Sequence, residues 1–253
     1  MKKVKKSRGY YPLEQVPGLV HKIWNETRSY SGHKWDVPQN AASLATLTAL
    51  IGQSNVTRLY AITNTAVQNI QLRSLLSPVL KSTDTKIRLK AMRWVIYDWG
   101  HVRGRRGSER DWPEQFASYE ADVIDSFIQD NYRYRIASWS KALAFADGTK
   151  YAIYDARVAM SLNSILDKVG HDRKFYMPPP SSDDLGEVFK VVRDHVSTQY
   201  AVKRPAYMGY TEYMRLLNAI VKEKLATNVL EVEMRLFANS DLHAQHYKKR
   251  YGL

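Results

Sequence analysis

Apolar residues recur at helical spacing along almost the whole chain, with little two-residue alternation. Leu44, Leu47, Leu50 and Ile51 share one helical face that ends at Gly52. After a break at Gln53-Ser-Asn55, Leu59, Ile62, Val67 and Ile70 continue the pattern. Met92, Val95, Ile96 and Trp99 form a further stripe, closed by Gly100 in the position of a helix C′ residue. Trp112-Pro113 opens another helix, with Phe116, Val123, Ile124, Phe127 and Ile128 on its buried side.

A short helix over 140–146 is expected to end at Asp147-Gly148. Tyr151-Ala-Ile-Tyr154 is then an apolar lead-in to a long helix carrying Val158, Leu162, Ile165, Leu166 and Val169. Pro178-Pro-Pro180 is a stiff connector. Ser182-Asp-Asp184 caps a helix running to Tyr200, and Thr211 opens one with Met214, Leu217, Ile220 and Val221. Val229, Val232 and Leu236 make a final stripe before a basic tail. The predicted fold class is all-α.

Charge changes the picture more than composition does. The chain has 253 residues, 38 basic against 25 acidic, for a net +13. Clusters at Lys2–Arg8, Arg103–Arg110, Arg133–Arg135 and Lys248–Arg250 carry much of the surplus. A basic surface of this size favours polyanions through counterion release, although a plain solubility surplus reads the same way. The interior cluster Arg103-Gly-Arg-Arg-Gly-Ser-Glu-Arg110 sits between glycines, so Arg103, Arg105 and Arg106 are expected on a loop that follows a phosphate backbone. With no cysteine, disulfides, thiolate zinc sites, cysteine nucleophiles and cysteine-bound iron–sulfur clusters are excluded. No cofactor is expected.

The first residues are basic but lack the apolar run of a signal peptide. The most apolar stretch, over 41–52, falls short of the ~20 residues a bilayer requires. A cytoplasmic, monomeric protein with no membrane partner is the expectation.

Asp155 stands out among the candidate chemical groups. Three places before Val158, it falls on the inward face at the amino end of its helix. Free N–H groups and the helix dipole stabilise a carboxylate there. It is either a helix cap or an anionic catalyst that stabilises a cationic sugar or takes a proton from water. Arg157, on another face, suits a phosphate or a structural carboxylate.

Lys141-Ala-Leu-Ala-Phe-Ala, Asp147-Gly148 and Tyr151-Ala-Ile-Tyr-Asp-Ala-Arg-Val-Ala159 together resemble the core of the helix-hairpin-helix DNA glycosylases. The last run looks most like bacterial 8-oxoguanine-glycosylase-like proteins, a branch that includes enzymes attacking modified bases of phage DNA. Upstream, Leu47-Thr-Ala-Leu-Ile-Gly-Gln53-Ser-Asn-Val-Thr57 is similar to the family's helix end that closes on a glutamine. The resemblance spans residues 40–170.

It implies two helical lobes with a cleft between them, one over 56–150 and one formed by 1–55 with 151–253. It also implies that Gln53, with Ser54 and Asn55, fills the stack vacated by a flipped nucleotide in double-stranded DNA. Asp155 would then stabilise the deoxyribose cation left by a departing modified base. That base would be a modified cytosine of phage DNA or an oxidised purine. The family's glycine-rich hairpin is replaced here by Arg135-Ile-Ala-Ser-Trp-Ser140, where Ser138, Ser140 and a helix amino end are left to bind phosphate.

Lys141 is either a phosphate-facing lysine or the nucleophile of a glycosylase with lyase activity. Trp139 and Tyr154 are candidates for stacking on the flipped base, or for the core. His243 and His246 lie at metal-binding spacing but lack a third ligand, so a solvated pair is expected and no metal. The rival from another class is a helical nucleic-acid-binding protein without catalysis.

Overall fold

The computed structural model describes residues 12–27, 37–102, 128, 135–180, 186–203 and 207–253. The arginine cluster at Arg103, Arg105 and Arg106 and most of the helix expected from Trp112 lie outside the described residues. So does the Ser182-Asp-Asp184 cap.

The described residues are all-helical, with one isolated parallel bridge between Phe175 and Met208. After a short turn at Leu13–Gln15, the helices are α1 (Leu19–Glu26), α2 (Ala41–Ile51), α3 (Gln53–Tyr60), α4 (Thr65–Leu80) and α5 (Thr85–Arg93). A π-helical turn follows at Trp94–Trp99. Then come α6 (Ile136–Ala146), α7 (Ala156–Lys168), α8 (Gly186–Lys203), α9 (Tyr210–Lys222), α10 (Val229–Ala238) and α11 (Ser240–Tyr251). None of these helices is long and apolar enough to cross a membrane.

The helices pack in two neighbourhoods. Helices α2–α6 and the π turn pack chiefly with one another, and α1 and α7–α11 do the same. Helix α2 packs on α3, α4, α5 and the π turn. The indole N–H groups of the π turn fasten it to its neighbours: Trp94 donates to the Ser43 carbonyl at 3.0 Å and Trp99 to Asn69 Oδ1 at 2.9 Å.

Four expectations are corrected. First, the stripe read through Leu59 to Ile70 is two helices, because Asn64 caps a new start by accepting from Ala66 and Val67 N–H. The restart turns Val67 and Ile70 outward, at 50% and 46% exposure, while Leu72, Leu76 and Leu80 go in. Second, Gly100 is not a left-handed C′ residue: its φ is −79°, and His101 takes the positive φ of 47°. Third, α6 opens at Ile136, one turn before the expected start, so Ser138 and Ser140 lie within the helix. Fourth, the basic tail is helix α11, packed on α7, and His243 is 1% exposed rather than solvated.

Candidate active site

The link from α6 to α7 places the site. Helix α6 stops at Ala146, and the Asp147 carboxylate turns the chain by accepting from Thr149 N, Thr149 Oγ1 and Lys150 N. Residues 151–155 then belong to no helix or strand and are nearly all buried. A buried segment outside helix and sheet must find its hydrogen bonds elsewhere.

Here side chains supply them. Tyr210 Oη donates to the Ala152 carbonyl and Tyr213 Oη to the Ile153 carbonyl, each at 2.9 Å. Ile153 N–H donates to Glu233 Oε2 at 2.8 Å. Ser140 Oγ accepts from Tyr154 N–H at 2.9 Å and donates to the Tyr154 carbonyl at 3.2 Å. The segment is therefore gripped by α6, α9 and α10 together.

Asp155 emerges from this grip as the N-cap of α7. Its Oδ1 accepts from Arg157 N–H at 3.0 Å and Val158 N–H at 3.1 Å. That leaves Oδ2, which lies 3.8 Å from Lys141 Nζ, with the two side chains 15% and 7% exposed. Lys141 Nζ donates to the Ala137 carbonyl, one turn back, at 2.8 Å.

Burial lowers the proton affinity of this amine below the ordinary lysine range, and the charges of Asp155 and then Glu233 oppose that effect. The lysine stem passes over Gly100, where a Cβ would lie 2.7 Å from Lys141 Cδ and 2.7 Å from the Ile96 carbonyl. Close approach, not backbone conformation, accounts for this glycine.

Beneath the segment, Arg73 and Glu233 form a buried two-point ion pair at 2.8 and 3.1 Å. The Arg73 guanidinium also lies 5.3 Å from the centre of the Phe145 ring.

The other expected residues fall in four groups. Trp139 and Tyr154 are core: both are wholly buried, and Tyr154 Oη donates to the Tyr176 carbonyl. Neither ring has a face open to a base. Ser138 and Ser140 are buried, with the Ser140 hydroxyl engaged by the Tyr154 peptide. Arg157 docks α11, bonding Asp241 Oδ1 at 2.8 Å and Ser240 Oγ at 3.1 Å.

Gln53 and Ser54 are exposed at the α2–α3 elbow, which Gly52 makes with a φ of 83°. Asn55 is held there by the Ile51 carbonyl at 2.7 Å. The structure thus brings together Asp155 and Lys141, with Ser140 behind them.

Arg73 and Glu233 were missed, yet a signal for them exists. Arg73 falls on the Asn69, Leu72, Leu76 face, and Glu233 one turn after Val229 on a buried face. A charge on an apolar stripe calls for a buried partner. The chain matches no protein-family model, no curated protein and no solved structure.

Proposed function

We propose that the protein is a DNA glycosylase that everts a modified base from double-stranded DNA and hydrolyses its N-glycosidic bond. One observation carries this reading. Asp155 spends one oxygen on the amino end of α7 and keeps the other beside the Lys141 amine, the side chain being 15% exposed, at the end of a side-chain-clamped segment. A carboxylate so fixed suits a reaction in which positive charge develops on a sugar.

As the base leaves with the bonding electron pair, C1′ and O4′ of the deoxyribose share the positive charge. Asp155 Oδ2 stabilises it and orients a water to attack C1′, taking up the proton, so that an abasic site remains. The two lobes expected from the sequence would hold the duplex, with Gln53, Ser54 and Asn55 at the exposed elbow entering the vacated stack. The basic surplus of the chain supplies the attraction to phosphate. The resemblance of the Asp155 region to bacterial enzymes acting on phage DNA favours a defence role and a hypermodified base.

The test is incubation of the wild type and Asp155→Asn with genomic DNA from ordinary and hypermodified phages. Released bases are identified by mass and abasic sites by alkaline cleavage. The wild type should release a modified base, and Asp155→Asn should bind the same DNA without releasing it. Excision by the variant at the wild-type rate removes the assignment, and DNA binding without any release supports the non-catalytic rival.

A second reading rests on the buried amine of Lys141, whose proton affinity is lowered and which lies 3.8 Å from Asp155. Such an amine can attack C1′ and form a Schiff base. Borohydride trapping of a covalent adduct in the wild type, and none in Lys141→Gln, selects this version.

A further inference from the structure

The Arg73–Glu233 pair is buried on both sides, where ion pairs are poor sources of stability and apolar residues pack as well. What Glu233 touches gives the pair a use. Glu233 Oε1 takes Arg73 Nη2 alone, while Oε2 is shared between Arg73 Nη1 at 3.1 Å and Ile153 N–H at 2.8 Å. Ile153 lies two residues before Asp155 in the clamped segment, and its carbonyl is taken by Tyr213 Oη.

The charge of Glu233 also reaches Lys141. After desolvation, the influences on that amine are Asp155, then Glu233, with Arg73 last and opposed to both carboxylates. Tyr213 stays a neutral donor, because burial and the neighbouring Glu233 charge raise its phenol well above the ordinary range. Arg73 thus fixes the orientation of Glu233 without cancelling its effect.

We infer that Glu233 is a positioning residue of the Asp155–Lys141 site, holding the peptide that delivers Asp155 and opposing its charge to that of Lys141. This deepens the glycosylase reading and rests on it for the reaction, but the arrangement itself can be tested without DNA.

Glu233→Gln keeps an acceptor for Ile153 N–H and removes the charge. Because it strands Arg73, the double variant Arg73→Met/Glu233→Gln serves where the single one does not fold. Each is compared with the full-length wild type in two measurements. The first is the NMR titration of the Lys141 side chain. Loss of the Glu233 charge should lower the pH at which the amine deprotonates in Glu233→Gln. The double variant should shift it less, in the same direction.

The second is single-turnover base release from a DNA on which the wild type is active. A neutral acceptor holds the Ile153 peptide more weakly than the carboxylate does, so Asp155 should be less firmly placed and release should slow by up to about a hundredfold, with DNA affinity unchanged. An unchanged Lys141 titration in the folded variants overturns the inference, whatever the wild type does to DNA. A shifted titration beside a wild type that releases no base upholds the arrangement and removes the glycosylase reading.

Discussion

The Ser140 hydroxyl closes on the Tyr154 peptide from both sides, accepting from its N–H at 2.9 Å and donating to its carbonyl at 3.2 Å. The next residue along each strand of chain is then Lys141 on one side and Asp155 on the other, 3.8 Å apart at their charged ends. One serine inside α6 therefore sets the separation of the two groups on which the proposed chemistry depends. Had α6 begun at Ser140, its hydroxyl would have been free to cap the helix.

Ser140→Ala tests this clasp. It leaves the buried Tyr154 N–H without its acceptor, a loss worth about 1–3 kcal/mol. Urea denaturation should show the midpoint falling with an unchanged slope. Base release, where the wild type shows it, should fall further than the stability loss explains, because Asp155 drifts from Lys141. A midpoint equal to the wild type's contradicts the clasp.

Gly100→Ala asks a steric question. The backbone at Gly100, with a φ of −79°, is one that alanine adopts freely, so any penalty is crowding. The added methyl would meet Lys141 Cδ and the Ile96 carbonyl at 2.7 Å and the Val95 carbonyl at 2.8 Å. Neither carbonyl is free to retreat: Val95 O accepts from Gly100 N–H and Ile96 O from Val102 N–H. A cost of about 1–3 kcal/mol is expected, together with a changed environment of the Lys141 side chain by NMR. A variant as stable as the wild type would mean that Lys141 passes elsewhere.

Capping and chemistry at Asp155 separate through two substitutions. Asparagine accepts the Arg157 and Val158 N–H bonds as aspartate does, whereas alanine accepts neither. Asp155→Ala should therefore lose about 1 kcal/mol of stability in denaturation, and Asp155→Asn a few tenths. Both should lose base release. If Asp155→Asn is as active as the wild type, the residue is a cap and nothing more.

Much of the helical plan is legible in the sequence, because a face that recurs every three or four residues must be covered. The α2, π-turn and α10 stripes lie where their spacing puts them, and so does that of α7 as far as Leu166, whereas Val169, at the C-cap, is 40% exposed. Asp155 was legible too, since its inward register and its capping position follow from Val158 and Leu162.

What the sequence hides is long-range pairing. Nothing near Ser140 announces that its hydroxyl meets residue 154, and nothing near Arg73 names Glu233, which is distant in sequence. Trp139 and Tyr154 show the same limit from the other side. An aromatic beside a motif has the same letters whether it lines a cleft or, as here, fills the core. Arg157 likewise suits a phosphate or a structural carboxylate by its letters alone, and Asp241 of α11 supplies the carboxylate.

His243 of α11 gives the protein a defined acid sensitivity. Burial, reinforced by Lys168, holds His243 down to about 4 from the ordinary 6.5, against a small opposing pull from Glu26. The native imidazole thus stays neutral between those values, while the unfolded chain takes up a proton. Where the unfolded state binds more protons, stability rises with pH. The His243 contribution is therefore intact above about 6.5, declines as the pH falls to about 4, and changes no further below that.

His243→Leu removes this slope. The stability difference between variant and wild type should move in favour of the variant across that window, by at most about 3 kcal/mol. His195 and His171, also lowered by burial, add slopes of the same sign that the variant retains, so the difference is the quantity to read. Glu26 does not intrude. Its hydrogen bonds to Lys168 and Lys22 pull it down from 4.5 to about 2, so its own acid loss falls mainly below the window. Denaturation midpoints at several pH values between 7 and 4 make the check, and parallel curves for the two proteins would show that His243 takes up its proton in the native fold at the same pH as in the unfolded chain.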